Sequence, residues 1–325
     1  MPVHIARLPE RALIRVEGPD WRPFLHNLLT HDLETLETGG LRFTALLTPQ
    51  GRLLHDLFVL AGETGTLLDV AATGRDALIK RLTLYKLRAK VTVEAVDGAV
   101  AVRFVAPAPD TALPLPPQTD RHPRTCSEGA SSDAAAGGRS TPADATPSGR
   151  SAAEWAFETS PRVTEGDGEG WAPDPRLPEL GWRALGYDGP TTAEADAYHA
   201  HRLALGVPDP MLDGRETDYP LELNFDLLNG IDFKKGCFIG QETTSRMKRR
   251  AAVKTRAVPV AVDGLPPPPG TEVLAGDLRA GELRRGMEAR AIALLRLDRA
   301  ASGPLTADGR PVRMDAPPWL APHLV

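Results

Sequence analysis

Residues 221–246 read LELNFDLLNGIDFKKGCFIGQETTSR. Within them, Lys234-Lys235-Gly236-Cys237-Phe238-Ile239-Gly240-Gln241-Glu242 sets a thiol beside two lysine charges and between two glycines. Glycine permits positive φ or a close backbone approach, so such a turn can expose backbone donors to a ligand. Cationic neighbours, and a helix N-terminus if one opens at Gly240, would favour thiolate over thiol at Cys237. Free cysteine is also among the most often buried residue types, so an inert thiol in a turn is the alternative reading. Just upstream, 223–228 is expected to form a short helix.

Downstream of this stretch, the apolar runs 258–262, 272–275 and 291–297 are separated by Pro and Gly turns, the pattern of a small antiparallel barrel. Upstream, Thr191 and Glu194 form a capping-box pattern that opens a helix running to about Leu205. That helix carries His199 and His201. Residues two apart on a helix do not converge on one ion, so they are expected at the surface or an interface, and no metal site is expected. Near the start, 12–16 reads as a strand, and Trp21, Phe24, Leu25, Leu28 and Leu29 recur at helical spacing behind Asp20 as cap. The runs 43–47 and 53–60 flank Thr48-Pro49-Gln50-Gly51 and predict a hairpin. Strands are expected at 66–71, 91–96 and 99–105 and a helix at 76–87. This irregular mixture favours an α+β domain, and no phosphate-cradling glycine loop follows any strand.

From 106 to 153 the composition turns to Pro, Ala, Ser, Thr, Gly and Asp with few large apolar side chains, which predicts a disordered insertion. Order is expected to resume near Trp155. Cys126 falls inside this stretch, leaving Cys237 as the one cysteine of the ordered chain. Two cysteines in such different settings supply neither a disulfide framework nor a paired-thiol metal knuckle. At 325 residues, two or three packed units are expected. No apolar run approaches bilayer length, and 1–15 lacks the pattern of a secretory or transit leader, so a soluble, cytoplasmic protein without membrane partners is expected. A net charge of −5 provides no global attraction to nucleic acid.

The segment FKKGCFIGQE at 233–242, with its surroundings from Leu221 to Arg246, resembles the signature of the YgfZ family of folate-binding proteins. That family includes a mitochondrial iron-sulfur assembly factor and belongs to the superfamily of the glycine-cleavage T-protein, an aminomethyltransferase. GPDWRPFLHNLLTHDL (18–33), LLTPQGRLLHDLFVL (46–60), YKLRAKVTVE (85–94), DPRLPELGWR (174–183) and HRLALGVPD (201–209) are similar to further family segments. The resemblance implies an α+β, T-protein-like, three-part ring around a central folate site, with a C-terminal antiparallel β-barrel. The folate-binding region would span 1–105 and 154–250 as two interleaved subdomains, and the barrel 254–325. The implied cofactor is tetrahydrofolate or a derivative. Glu222 sits where the superfamily places a carboxylate, which would accept hydrogen bonds from the pterin's amino-pyrimidinone edge. Lys235, Gln241, Glu242 and Arg246 would position the ligand or hold the signature loop through structural salt bridges and turn hydrogen bonds. Asn27 and Arg52 are further candidates.

Two departures bear on activity. The transferases need an acid near the folate nitrogens, in a segment matching 69–76, and no residue there is assigned that role. Arg284-Arg285 stand in the barrel where relatives often carry small hydroxyl residues. The leading expectation is therefore a folate-binding accessory protein for iron-sulfur cluster assembly or repair, with Cys237 as its functional thiol. Its partners would be reduced folate and iron-sulfur assembly factors or client proteins. A folate-dependent aminomethyltransferase is one alternative, and an RNA-binding or tRNA-modification accessory protein is another. The latter is motivated by Arg246, Lys248, Arg249, Arg250, Lys254 and Arg256, but no aromatic residues interleave with these charges to stack bases, so direct nucleic-acid binding is not expected.

Overall fold

The structure is a computed structural model that describes residues 2–106, 170–215, 217–249 and 253–324. The expected insertion at 106–153 lies outside them apart from Ala106, as do Cys126 and Trp155.

Three sheets organise the described chain. The first has the order β3-β4-β5-β2-β6, from β2 (Arg11–Glu17), β3 (Leu41–Leu47), β4 (Leu53–Ala61), β5 (Gly65–Ala71) and β6 (Thr92–Val96), with neighbours antiparallel. Both of its faces are covered, which explains why 43–47 and 53–60 read as nearly continuous apolar runs rather than alternating ones. One face packs Ile14, Leu57, Val59 and Leu68 under α1 (Trp21–Leu28) and α2 (Arg75–Tyr85), through Trp21, Phe24, Leu25, Leu78 and Leu82. The other turns Phe43, Leu47 and Phe58 toward Leu221, Phe225, Phe238 and Ile292. The signature stretch and the barrel thus share a core with this sheet.

A second sheet has the order β1-β7-β9-β8, from β1 (Val3–Arg7), β7 (Ala99–Val105), β8 (Trp171–Pro173) and β9 (Trp182–Tyr187). It packs Val102 and Phe104 against Tyr198 of α3 (Ala195–Ala204), which a single turn, α4 (Pro210–Asp213), follows. After α5 (Gln241–Arg249), the chain builds a closed antiparallel barrel in the order β10-β13-β12-β11-β14-β15. Its strands are β10 (Thr255–Val262), β11 (Glu272–Ala275), β12 (Leu278–Met287), β13 (Arg290–Arg296), β14 (Leu305–Ala307) and β15 (Arg310–Met314), with one turn of helix, α6 (Leu297–Ala300), before β14. Pairing of Val260–Val262 in β10 with Val312–Met314 in β15 closes the cylinder and removes its edges.

Several local expectations are corrected. Instead of a helix, 223–228 forms consecutive turns, because Asn224 takes a left-handed φ of 62° and Asn229 one of 54°. Asn224 is fully buried; its Nδ2 donates to the Ala257 carbonyl at 2.7 Å and its Oδ1 accepts from Arg256 at 3.0 Å. Asp20 does not cap α1, since its carboxylate accepts instead from the Lys90 amide at 2.8 Å. The expected capping box is absent too: Glu194 rather than Thr191 stands at the N-cap of α3, which begins without a side-chain cap. His199 and His201 are buried rather than on the surface; His199 Nε2 lies 2.9 Å from Glu10, and His201 Nε2 2.9 Å from the Glu179 carbonyl.

Candidate functional site

The signature turn is pinned on both sides of its thiol. Phe238 buries its ring in the core beneath the first sheet. Lys235 sends its ammonium to the C-terminal end of α1, where it donates to the carbonyls of His26, Leu29 (2.6 Å) and His31 (3.3 Å). These carbonyls have no intrahelical partner, and a cation at a helix C-terminus is favoured by the dipole. Lys235 therefore holds the turn to α1. Burial brings its pKa down to about 8, although Asp32, Asp232 and Glu34 pull the other way. Asp32 and Glu34 lie with His26 in a cluster whose ligand atoms are within 4.8 Å of one another. The Lys235 ammonium is already the neighbouring cation of those carboxylates, and His26 Nδ1 accepts from the Leu33 amide at 3.2 Å.

Between these anchors Cys237 is exposed and free. The turn then enters α5 through Gly240, whose φ of 80° and tight surroundings both require glycine. A Cβ there would lie 2.6 Å from the Thr48 carbonyl and 2.9 Å from the Gly51 Cα. The 48–51 hairpin turn and the signature turn therefore touch backbone to backbone. Gln241 Nε2 donates back to the Gly236 carbonyl at 3.3 Å, which braces the loop around the thiol.

The remaining candidates do not converge on one pocket. Glu242 and Arg246 lie exposed on α5, and Asn27 is exposed on α1. Glu222 is half-buried beside Asp218, Arg52 and Arg284. Its Oε2 accepts from the Tyr219 amide at 3.0 Å, while Oε1 has no partner among the described residues. Burial raises its pKa, against the opposing pull of the Tyr219 hydrogen bond and the two arginines. Arg52 stacks its guanidinium 4.0 Å from the Tyr219 ring centroid and donates to the Thr217 carbonyl, so it shapes the turn that presents Glu222. The basic residues from Arg246 to Arg256 begin in the last turn of α5 and are partly spent on an internal carboxylate. Arg256 is buried and pairs with Asp226 at 3.0 Å, and Lys248 reaches the same carboxylate at 3.1 Å.

In 69–76, neither aspartate is poised as a transferase acid. Asp69 is fully buried between Arg11 (2.6 Å) and Arg183 (2.7 Å), and Asp76 is exposed in a loose pair with Arg75. Asp69 belongs to a buried ionic network that the sequence reading missed. Arg11 also meets Asp56 at 2.8 Å, and Arg176 meets Asp174 at 2.7 Å, beneath the Phe58 ring. Its only sequence signal is the charged residues of DPRLPELGWR, set in otherwise apolar surroundings.

Residues 254–322 match the family model for the CAF17 C-terminal beta-barrel domain. Over 98% of this chain and 86% of the other, the fold superposes on the glycine cleavage system aminomethyltransferase T of Bartonella henselae with a TM-score of 0.65, at 14% identity. At that identity the likeness concerns the fold alone. Among curated relatives, the iron-sulfur cluster assembly factor IBA57 of Mus musculus is 30% identical over 351 residues, covering 96% of this chain and 84% of the relative. The Homo sapiens protein is 31% identical over 344 residues, with the same shares of 96% and 84%. Both relatives are mitochondrial, which overturns the cytoplasmic placement expected from the absence of a leader pattern; residue composition near one end is a poor guide to compartment. Identity at this level along nearly the whole chain, on a T-protein-like fold with a CAF17-type barrel, shows that the chain belongs to the family of the iron-sulfur cluster assembly factor IBA57, of which the YgfZ proteins are close relatives.

Proposed function

We propose that this chain serves in iron-sulfur cluster assembly, as its relatives are named for doing, and in their compartment, the mitochondrion. Cys237 is its working thiol. The observation that carries this reading is an exposed, free thiol on a turn anchored by Lys235 on one side and Phe238 on the other. A sulfur held in this way presents one ligand to iron with little ordering left to do. One thiol cannot hold a cluster alone, so the cluster is cargo shared with a partner that supplies the other ligands.

A reduced folate is part of the same proposal, with Glu222 as its pterin contact. The chain's fit to that group rests on Glu222 alone: a half-buried carboxylate with Oε1 free to accept from an amino-pyrimidinone edge. When bound, the folate would supply a reduced pterin ring with nucleophilic nitrogens, and the described residues of 69–76 offer no acid to work on them. That arrangement favours an accessory role over aminomethyl transfer.

The experiment is Cys237→Ser in cells lacking the endogenous relative. Serine keeps the size of the side chain but has essentially no anionic form at neutral pH. Loss of iron-sulfur client activity with an unchanged melting temperature is expected. Full rescue by the serine variant would return Cys237 to an inert surface thiol.

A further inference from the structure

We infer that a cleft between Arg215, Thr217 and Asp218 on one side and the barrel strands β12 and β13 on the other binds a small organic anion carrying two or more negative charges, a phosphate ester or a polycarboxylate. Its volume is about 350 Å³, and its walls carry Arg215, Arg279, Arg284, Arg296 and Arg299. Among the described residues, Asp218 and Glu282 oppose them in the lining. From outside the cleft, Asp298 compensates Arg296 at 2.9 Å and Glu272 compensates Arg279 at 3.1 Å. Arg215, Arg284 and Arg299 then face Asp218 and Glu282 within the lining, with Glu222 acting on Arg284 and Asp298 on Arg299 from outside it, and guanidinium groups gathered in one cleft attract a further anion.

The arrangement also shows what kind of anion. Glu282 alone is met by Arg215 at 3.1 Å, Arg284 at 3.2 Å and Arg279 at 3.4 Å, so three guanidinium groups already converge on one carboxylate. Arg284 is the fixed member: it is 4% exposed, locked to Asp218 at 3.0 Å, and its Nε has no partner among the described residues. Arg215 and Arg279 are half-exposed and reachable from solvent. Arg299 spends one nitrogen on the Arg279 carbonyl at 3.0 Å, and Asp298, the carboxylate next to it, is bonded to Arg296. Guanidinium forks match the paired oxygens of phosphate and carboxylate. The volume lies at the small-molecule end of ligand sites, larger than a bare phosphate needs. Half-buried Leu294 adds an apolar wall for the organic part. Glu282 is then an internal occupant that an incoming anion must displace. The lining includes neither Cys237 nor Glu222, although Glu222 acts on Asp218 and Arg284 from just outside it.

The test is calorimetric titration of the full chain with inorganic pyrophosphate and, separately, with citrate, each at low and high sodium chloride. Binding of at least one probe is expected, weakening with salt. Arg279→Gln/Arg299→Gln, which changes side chains outside any core, should bind about tenfold more weakly, equivalent to about 1.4 kcal/mol. Glu282→Gln should bind more tightly, because it removes the internal competitor; a residue that merely holds the cleft in shape would give the reverse. Preference for pyrophosphate identifies phosphate esters as the source, and preference for citrate identifies polycarboxylates. Silence from both probes, unchanged affinity in the double variant, or weaker binding by Glu282→Gln would each overturn the inference.

Discussion

Lys235 and Glu222 are buried in opposite senses, and each makes a testable statement about pH. For Lys235, burial lowers the folded pKa to about 8 from 10.5. Between those values the unfolded chain holds the proton that the folded chain has released, so unfolding takes up a proton and stability rises with pH. Its contribution is fully present above 10.5 and lost as pH falls through about 8. The difference in denaturant stability between wild type and Lys235→Met should therefore grow in favour of wild type across that window. At pH 7 the variant should still be destabilised, by about 1–3 kcal/mol, because three carbonyls at the end of α1 lose their donor. Glu222 behaves in the reverse way, since burial raises its pKa above 4.5. Its contribution is fully present below 4.5 and is lost as pH rises through the folded value. Glu222→Gln, which keeps an oxygen for the Tyr219 amide, should melt higher than wild type at pH 7 and show no such gain at pH 4. The same variant should bind tetrahydrofolate at least about tenfold more weakly, if the pterin contact is charge-assisted. Unchanged affinity in calorimetry would remove Glu222 from the proposed site.

At the scale of elements, the turn between β3 and β4 and the turn entering α5 form one unit. Gly51 has a φ of 81° and Gly240 one of 80°, and a Cβ on either would press on the other's turn: on Gly51 it would lie 2.9 Å from the Thr243 Cβ and 3.3 Å from the Gly240 carbonyl, on Gly240 2.6 Å from the Thr48 carbonyl. Gly240→Ala would place a methyl group against the Thr48 carbonyl, a backbone atom that cannot swing aside. Strain at the left-handed φ adds to that overlap. A loss of about 2–4 kcal/mol is expected, with Cys237 becoming more mobile as its downstream anchor loosens. Denaturant unfolding measures the first effect, and nitroxide labelling of Cys237 the second. A variant as stable as wild type, with an equally ordered label, would show that the turns are not coupled.

For the whole molecule, the decisive feature is the ionic network between the first and second sheets. Arg183 of β9 reaches Asp69 of β5 at 2.7 Å, and Arg11 of β2 meets the same carboxylate at 2.6 Å. Replacing a buried pair by apolar groups can be neutral, whereas removing one partner leaves the others uncompensated. Asp69→Asn leaves buried Arg11 with Asp56 alone and buried Arg183 with only the 3.8 Å contact to Asp174, and should cost about 3 kcal/mol in chemical denaturation. Acid should act through the same region. Despite burial, which pushes the other way, Arg176 and Arg183 hold Asp174 below its ordinary value of 3.8, and Arg202, Arg11 and Arg176 bring Asp209 down to about 2. Both contribute stability that is present above 3.8 and lost as pH falls through their folded values. Cooperative acid unfolding is therefore expected below pH 3.8, toward about 2, and near-ultraviolet dichroism against pH would follow it.

Local pattern alone determined much of the architecture. Helical spacing in 21–29, the Pro-Gly reversal at 48–51 and the Pro and Gly punctuation after 254 each report a period or a turn, which depends only on near neighbours. The signature stretch pointed to the T-protein-like fold, and the α+β mixture and the terminal barrel followed. Tertiary structure decided the rest, because burial and pairing join residues far apart in the chain. Lys235 sits beside Cys237 in sequence, yet its charge is spent on carbonyls of α1 more than two hundred positions away. Asn224 breaks an apolar run that reads as a helix because a strand of the barrel offers it hydrogen-bond partners. Asp69 is one charge in an apolar strand of the sequence, and only folding brings Arg11 and Arg183 to it from two other strands. Charge in a sequence is a list of signs; what each charge does is set by the dielectric around it and the partner within reach, and both exist only after folding.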